Sequence, residues 1–187
     1  MQNIWQHIYA AFIEADRWKL YLKGLGVTLE VSFFAALLGI LIGTIAAFLK
    51  LSTRKNGSKT IASRIASAYI DIIRGTPTMV QLLIIYFVIF ANVHIDKWVV
   101  GFIAFGINSG AYIAEIVRGG ILSVNIGQTE AGRSLGMTHK QTMASIVMPQ
   151  AMKNILPALG NEFVVLIKET AVIGMIANID LVGAARK

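Results

Sequence analysis

The amino-acid sequence predicts an all-α fold, a polytopic bundle of helices that crosses a membrane. Hydrophobic residues make up 56% of the 187 residues, and charged residues make up only 14%. A soluble domain usually carries about 25% charged residues. Several apolar stretches also reach the roughly 20 residues that a helix needs to span a bilayer. Together these observations favour a single membrane domain over residues 1–187.

Four apolar stretches predict four spans, which cover about residues 25–49, 66–93, 98–117 and 155–177. The residues before the first stretch are aromatic and mixed in charge, so they are expected to form a helix at the membrane interface. The Gly-Thr-Pro sequence at 75–77 is expected to interrupt the start of the second span. Proline lacks a backbone N–H and disfavours helix at the residue before it.

The distribution of basic residues predicts the orientation of the spans. The net charge is +7, and the cytosolic loops of membrane proteins carry an excess of Lys and Arg. Five basic residues lie shortly after the first span: Lys50, Arg54, Lys55, Lys59 and Arg64. The N-terminus is therefore expected outside the cell. Residues 119–154, which we call the interspan segment, are expected in the cytosol.

The interspan segment is too polar to cross lipid, and its pattern predicts two short helices joined by a hinge. Thr129 is expected to cap the first helix and Gly136 to end it. Thr138 and Gln141 have the spacing of a capping box, which predicts the start of the second helix. Pro149 is expected to close that second helix.

The interspan segment also contains a spaced motif. An acidic residue and two small residues are followed, after three positions, by glycine and, after nine more, by Ile-x-Met-Pro. This motif resembles the EAA loop of ABC-importer permeases, with the same spacings and two mild replacements, Gly132 and Met148. The matching residues are Glu130, Ala131, Gly132, Gly136, Ile146 and Pro149.

The resemblance extends over nearly the whole chain. Residues 24–29, 74–77, 111–121 and 168–170 are similar to segments of the polar amino-acid uptake permeases of the histidine, glutamine and arginine type. This resemblance implies the type I ABC-importer permease fold. That fold usually has five spans; the fifth is expected but absent here, and we interpret the chain as a fragment.

The resemblance implies that the chain is the pore subunit of a polar amino-acid importer in the bacterial inner membrane. Two permease subunits, the same or sister chains, would pair around the path, above a dimer of cytosolic ABC ATPases. An external binding protein would deliver the amino acid. The EAA loop would be a coupling helix that sits in a cleft of the ATPase. The chain itself would be no enzyme and would need no cofactor, because the ATPase binds ATP.

The residues of the motif suit such a docking element on physical grounds. Glu130 places an acid near the N-terminus of a short helix, where the helix dipole favours it. Ala131 and Gly132 are small enough to let another protein approach closely, and Gly136 permits a sharp bend. The alternative interpretation is an ordinary amphipathic helix that lies on the membrane surface.

Polar residues within the spans predict the lining of a translocation path. A charge at the centre of a bilayer costs roughly 2.5–3.5 kcal/mol on insertion scales, so each such residue needs a polar neighbour or water. Residues four and seven positions apart share a helix face. The predicted path residues are Arg74, Pro77, Asn108, Tyr112, Glu115, Glu162 and Glu169.

The chemistry of these side chains matches a zwitterionic amino acid. Glu115 or Glu162 could bind its ammonium group, and Arg74, or amides freed near Pro77, could bind its carboxylate. Both Glu115 and Arg74 are therefore expected to face the interior of the bundle. The alternative is that the charges pair with one another, for example Glu115 with Arg74 or with Arg118.

Several other classes of function lack the residues that they require. The chain has no cysteine and three histidines far apart in sequence, so a metal centre is not expected. It has no GxxxxGK[ST] motif for binding nucleotide phosphates. An ion-coupled secondary transporter is the main alternative, and a membrane-embedded enzyme is another. The sequence does not indicate which amino acid is carried, or whether the permease pairs with itself.

Overall fold

The computed structural model describes residues 16–53 and 57–170, which are almost entirely helical. This confirms the predicted all-α fold. The helices, in chain order, are α1 (Arg17–Leu51), α2 (Ile61–Arg74), α3 (Thr78–Ile84), α4 (Lys97–Leu122), α5 (Ile126–Ser134), α6 (His139–Thr142) and α7 (Met148–Glu169). Two π-helical turns extend them, Ile85–Ile89 after α3 and Met143–Val147 between α6 and α7.

Helices α1 and α4 are long and apolar enough to cross a bilayer. Their candidate spans are Trp18–Leu51, with a mean hydropathy of 2.4, and Lys97–Leu122, with a mean hydropathy of 1.5. Helix α1 starts at Arg17, so the end of the predicted interfacial helix belongs to the first span, and residues 1–15 lie outside the described part. The predicted fourth span also runs past the described residues, so its crossing stays a prediction.

The second apolar stretch is broken in its interior, whereas the sequence predicted an interruption at its start. Helix α2 runs for 14 residues before the break, and the helices on either side of it meet at 105°. Gly75 ends α2, and Pro77 precedes α3 with an extended backbone, φ −62° and ψ 134°. The pair is therefore a broken span or a re-entrant loop.

Glycines bring the backbones of α1 and α4 into direct contact. A Cβ atom added to Gly43 would lie 2.7 Å from the Gly110 carbonyl oxygen and 2.8 Å from Ile113 Cβ. One added to Gly106 would lie 2.7 Å from Leu38 Cδ2. Small residues four apart on both helices are a common means of close packing in membranes. The sequence carries this spacing twice: Gly39 and Gly43 of α1 both approach Gly110 of α4, and Gly106 of α4 packs against Leu38.

The remaining helices pack around this pair. One buried cluster joins α1, α4 and α3, with Val31, Phe105 and Leu82 among its members. A second joins α1, α2, α4 and α7 towards the interspan segment, and it includes Ile70 and Ile155. The pair α1 and α4 thus belongs to both clusters and forms the centre of the protomer.

We predict that Gly43→Leu separates α1 from α4. The new side chain would meet backbone atoms of Gly110, which cannot rotate away, and overpacking a core typically costs about 1–3 kcal/mol. The expected result is a lower unfolding temperature in detergent. The matched control is Gly26→Leu on the same helix, where an added Cβ has nothing within 4 Å. Equal unfolding temperatures for the two variants would contradict the contact.

Candidate functional site

Helix α5 holds the first part of the motif and is capped by Asn125. The Gly127 N–H donates to Asn125 Oδ1 at 2.8 Å, and asparagine is among the preferred N-cap residues. The expectation that Thr129 caps this helix is therefore wrong, because α5 begins four residues after α4 ends and Thr129 lies within it. Gly136 has a φ of +83°, the left-handed conformation that permits the chain to turn after α5.

The two halves of the motif contact each other. Gly132 is buried, and a Cβ added to it would lie 2.8 Å from Ile146 Cδ1 and 2.9 Å from Thr142 Cγ2. The third small residue of the motif is therefore small because it packs against the helix that follows. Glu130 and Ala131 lie on the exposed face of α5. These two residues remain accessible to another protein.

The second helix of the interspan segment begins as predicted but does not end at Pro149. The Thr138 N–H donates to Gln141 Oε1 at 2.8 Å, and the Gln141 N–H donates to Thr138 Oγ1 at 3.3 Å, which completes the capping box. The chain then runs through the π-helical turn into α7. Pro149 lies in the first turn of α7, and the wider turn before it provides room for a ring that would clash within a regular helix.

Arg74 lies on the surface of the protomer, so the expectation that it faces the interior is wrong for the single chain. Its guanidinium carbon is 5.2 Å from the centroid of the Tyr112 ring, a cation–π contact. Helix α2 ends at Arg74, so the exposed side chain lies where the bend begins. Pro77, three residues later, is also exposed.

Asn108 is buried and forms a polar contact between helices instead of lining an open path. Its Nδ2 donates to Gln81 Oε1 at 2.9 Å. The Gln81 amide in turn donates to the carbonyl oxygens of Ile73, at 2.7 Å, and Thr76, at 3.0 Å. Gln81 thereby satisfies backbone groups that the bend releases. Gln81 was not among the predicted path residues, although an amide four residues after a proline in an apolar stretch is a usable signal.

Glu115 binds two cations at the end of α4 nearest the interspan segment. Its Oε1 accepts from Lys50 Nζ at 2.7 Å, and its Oε2 accepts from Arg118 Nη2 at 2.7 Å. Its side chain is 18% exposed, as expected for a residue that faces the interior. The anticipated pairing with Arg118 is present. The partner from α1, Lys50, was not anticipated, because 65 residues separate it from Glu115.

Glu162 and Glu169 lie along α7 and contact polar groups on two other helices. Ser109 Oγ donates to Glu162 Oε1 at 2.8 Å, and Thr78 Oγ1 donates to Glu169 Oε1 at 3.5 Å. Both carboxylates are half-buried. Among the described residues, Glu162 is the charged one that lines a groove of about 400 Å³ between α1, α4 and α7, whose other lining residues include Phe33, Leu156 and Leu166.

The predicted path residues thus separate into groups with different surroundings. The half-buried carboxylates of Glu162 and Glu169 accept hydrogen bonds from the hydroxyl groups of Ser109 and Thr78, and Thr78 places Glu169 near the bend that follows Arg74. Glu115 is neutralised by its neighbours, and Asn108 is occupied by Gln81. Among residues 16–53 and 57–170, no cluster of three His, Cys, Asp or Glu side chains could hold a metal ion. Within the part of the chain that the structure describes, the ion pairs include neither carboxylate of the first group.

Comparisons with known proteins agree on one family. A model described as "Binding-protein-dependent transport system inner membrane component" matches residues 39–185. The glutamine transport system permease protein GlnP of Escherichia coli K12 is 37% identical over 174 residues, which cover 91% of this chain and 74% of that protein. A provisionally named GlnP of Rickettsia prowazekii is 40% identical over 167 residues, covering 88% of this chain and 74% of that protein.

Solved structures share the fold. A crystal structure of an amino acid ABC transporter with histidines aligns with a TM-score of 0.79 and 46% identity, and covers 88% of this chain and 75% of that chain. An inward-facing MetNI methionine ABC transporter aligns with a TM-score of 0.76 at 21% identity, covering 91% of this chain and 80% of that chain. At that identity the second likeness concerns the fold alone.

Proposed function

Since this chain belongs to the family of binding-protein-dependent transport system inner membrane components, we propose that it lines the path by which a polar amino acid, glutamine in the first instance, enters the cell. The chain is a permease subunit of an amino-acid ABC transporter and a multi-pass inner membrane protein. ATP hydrolysis occurs on a separate ATPase subunit, and a substrate-binding protein is the other partner. The choice of glutamine rests on the names of the relatives.

The observation that carries the proposal is the exposed helix α5 at the end of α4. Large apolar side chains lie at both of its ends, with Ile126 69% exposed and Leu135 83% exposed. Beside them are Glu130 and Ala131. Outside the membrane such apolar exposure indicates a surface that another protein covers. We propose that α5 is the coupling helix and inserts into the ATPase, where Gly132 and Ile146 hold it against the start of the following helix.

The arrangement of the partners is also part of the proposal. A second permease subunit, identical or a sister chain, would complete the path, and two ATPase subunits would bind below the pair. ATP stays on the ATPases, so this chain needs no cofactor. The interspan segment then lies in the cytosol and the N-terminus outside, because the basic residues that follow α1 favour the cytosolic side.

Residues around the bend and on α7 supply the chemistry for a zwitterion. Glu162 and Glu169 offer carboxylates for an ammonium group, and Arg74 offers a guanidinium for a carboxylate. Thr78 links the bend to Glu169. The Tyr112 ring contacts the Arg74 guanidinium through a cation–π interaction. We place the substrate contact in this region, and Pro77 creates it by directing α3 away from α2.

The test of the function is import by the full-length permease in liposomes, together with its ATPase and its binding protein. We expect radiolabelled glutamine to accumulate only when ATP and all three proteins are present. Uptake without the ATPase, driven by an ion gradient, would instead identify a secondary transporter. Import of another amino acid at higher kcat/KM would replace glutamine but leave the permease role intact.

We predict that Glu162→Gln weakens transport of the amino acid. The substitution keeps the size of the side chain and its contact with Ser109 but removes the charge that would bind an ammonium group. The expected result is a KM raised by about tenfold, equivalent to about 1.4 kcal/mol of lost binding. The control is Glu30→Gln, an exposed carboxylate on α1. An unchanged KM for Glu162→Gln would remove this residue from the substrate contact.

We also predict that Gly136→Val prevents coupling. A left-handed backbone costs a residue with a side chain about 1–2 kcal/mol, so the turn after α5 should change and misdirect the helix. The protein should still insert, because the spans are untouched, but it should bind the ATPase weakly and import little. Gly136→Asn is the matched control, since asparagine tolerates this conformation. Normal ATPase binding by Gly136→Val would show that α5 is not the coupling element.

A further inference from the structure

We propose that Glu115 is a positioning residue, which ties the end of α4 to α1 and α2 and so transmits movement of α5 to the rest of the bundle. It would not contact the amino acid. This inference rests on the proposed function, because it needs α5 to be the coupling helix. It assigns roles to Lys50 and Arg118, which the translocation path leaves without one, and it changes the role that the sequence suggested for Glu115.

Lys50, Glu115 and Arg118 form an ion cluster between α1 and α4. Arg118 Nε and Nη2 both donate to Glu115 Oε2, at 3.0 and 2.7 Å, from three residues along the same helix. This contact orients the carboxylate within α4. The other oxygen is left for Lys50, whose Nζ is 2.7 Å away on α1. Glu115 Oε2 therefore accepts hydrogen bonds within α4, and Oε1 accepts one from α1.

A hydrogen bond to the Lys50 backbone extends the ion cluster to α2. Lys50 lies in the last turn of α1, and its backbone carbonyl accepts a hydrogen bond from Ser63 Oγ at 2.9 Å. Ser63 is fully buried in the first turn of α2, and its own N–H donates to the capping residue Thr60 at 3.0 Å. Lys50 thus links α1 to two other helices. Its side chain binds Glu115 of α4, and its backbone carbonyl accepts the hydrogen bond from Ser63 of α2.

Hydrogen bonds also fix the corner between α4 and α5. Ser123 Oγ donates to the Gly120 carbonyl at 2.7 Å and accepts from Asn154 Nδ2 at 2.8 Å. Asn125 then caps α5 within two residues. The corner is therefore held by hydrogen bonds to α4 and α7. Glu115 lies seven residues before the end of α4, about 10 Å along the helix, so a displacement of α5 reaches it through rigid structure.

The cluster also differs from a substrate site in its charge. Two cations surround one carboxylate, with Lys50 and Glu115 only 21% and 18% exposed. An ammonium group would have to displace Lys50 or Arg118 to bind Glu115. Removing the carboxylate would leave two cations close together, where they repel each other. The carboxylate is already matched by two cations in this structure, which favours a mechanical role over ligand binding.

The experiment measures import, ATP hydrolysis and membrane content for Glu115→Gln in the complete transporter in liposomes. We expect an unchanged KM for glutamine, a maximal rate lowered by about tenfold, within the range of measured coupling effects, and more ATP hydrolysed per amino acid imported. The matched control is Lys19→Gln, which breaks an exposed ion pair of equal length, 2.7 Å, at the opposite end of α1. It should transport as the unchanged protein does.

A charge exchange tests whether Lys50 and Glu115 act as a pair. The single variants Lys50→Glu and Glu115→Lys should each import slowly. The triple variant Lys50→Glu/Glu115→Lys/Arg118→Glu reverses every charge of the cluster and so avoids two cations side by side on α4; it should recover most of the rate, because interaction between paired residues is not additive. The exchange keeps the inference testable should Glu115→Gln fail to reach the membrane. A triple variant no faster than the single variants would overturn the pairing.

Other outcomes also contradict the inference. A raised KM in Glu115→Gln that the charge exchange does not reverse would place Glu115 at the substrate. A lower membrane content with a normal rate per inserted molecule would make the cluster a stabilising contact only. Absence of ATP-dependent import by the unchanged protein would overturn the proposed function itself, and that result is separate from any behaviour of the variants.

Discussion

The direct contact between the backbones of α1 and α4 sets the positions of the other functional groups. Because Gly43 and Gly110 leave no side chain between the two helices, the register of the pair is fixed to a fraction of a helical turn. On one side of this crossing, Ser109 is held where it meets Glu162 of α7. On the other side, Lys50 is held where it meets Glu115. The groups proposed for substrate and for coupling are thus placed by one contact.

The bend between α2 and α3 imposes the second constraint. A break in a helix releases backbone carbonyls, and within a membrane these must be satisfied by protein groups or by water in a cavity. The Gln81 amide provides this for Ile73 and Thr76, and Asn108 fixes the orientation of that amide from α4. Buried side-chain amides therefore stabilise the bend, because they satisfy the backbone carbonyls that it releases. Arg74, which ends α2, and Glu169, which contacts Thr78 of α3, are then not needed to satisfy these carbonyls.

Local signals in the sequence predicted local structure well. The capping box at Thr138 and the left-handed Gly136 depend on neighbouring residues only, and both are present. The continuation of the helix through Pro149 was not predictable, because it depends on a π-helical turn that the sequence does not encode in a simple pattern. Asn125 and Thr129 are both good caps, and the choice depends on where α4 ends. The Lys50–Glu115 contact follows from the packing of α1 on α4, which hydropathy does not specify.

The exposure of Leu135 has a consequence for the biogenesis of the transporter. Leu135, the residue that ends α5, is 83% exposed, and a large apolar side chain left in water favours association with another apolar surface. In the proposed arrangement, a permease made without its ATPase would leave this side chain in water, so the unassembled subunit would tend to associate with other apolar surfaces until the ATPase covers it.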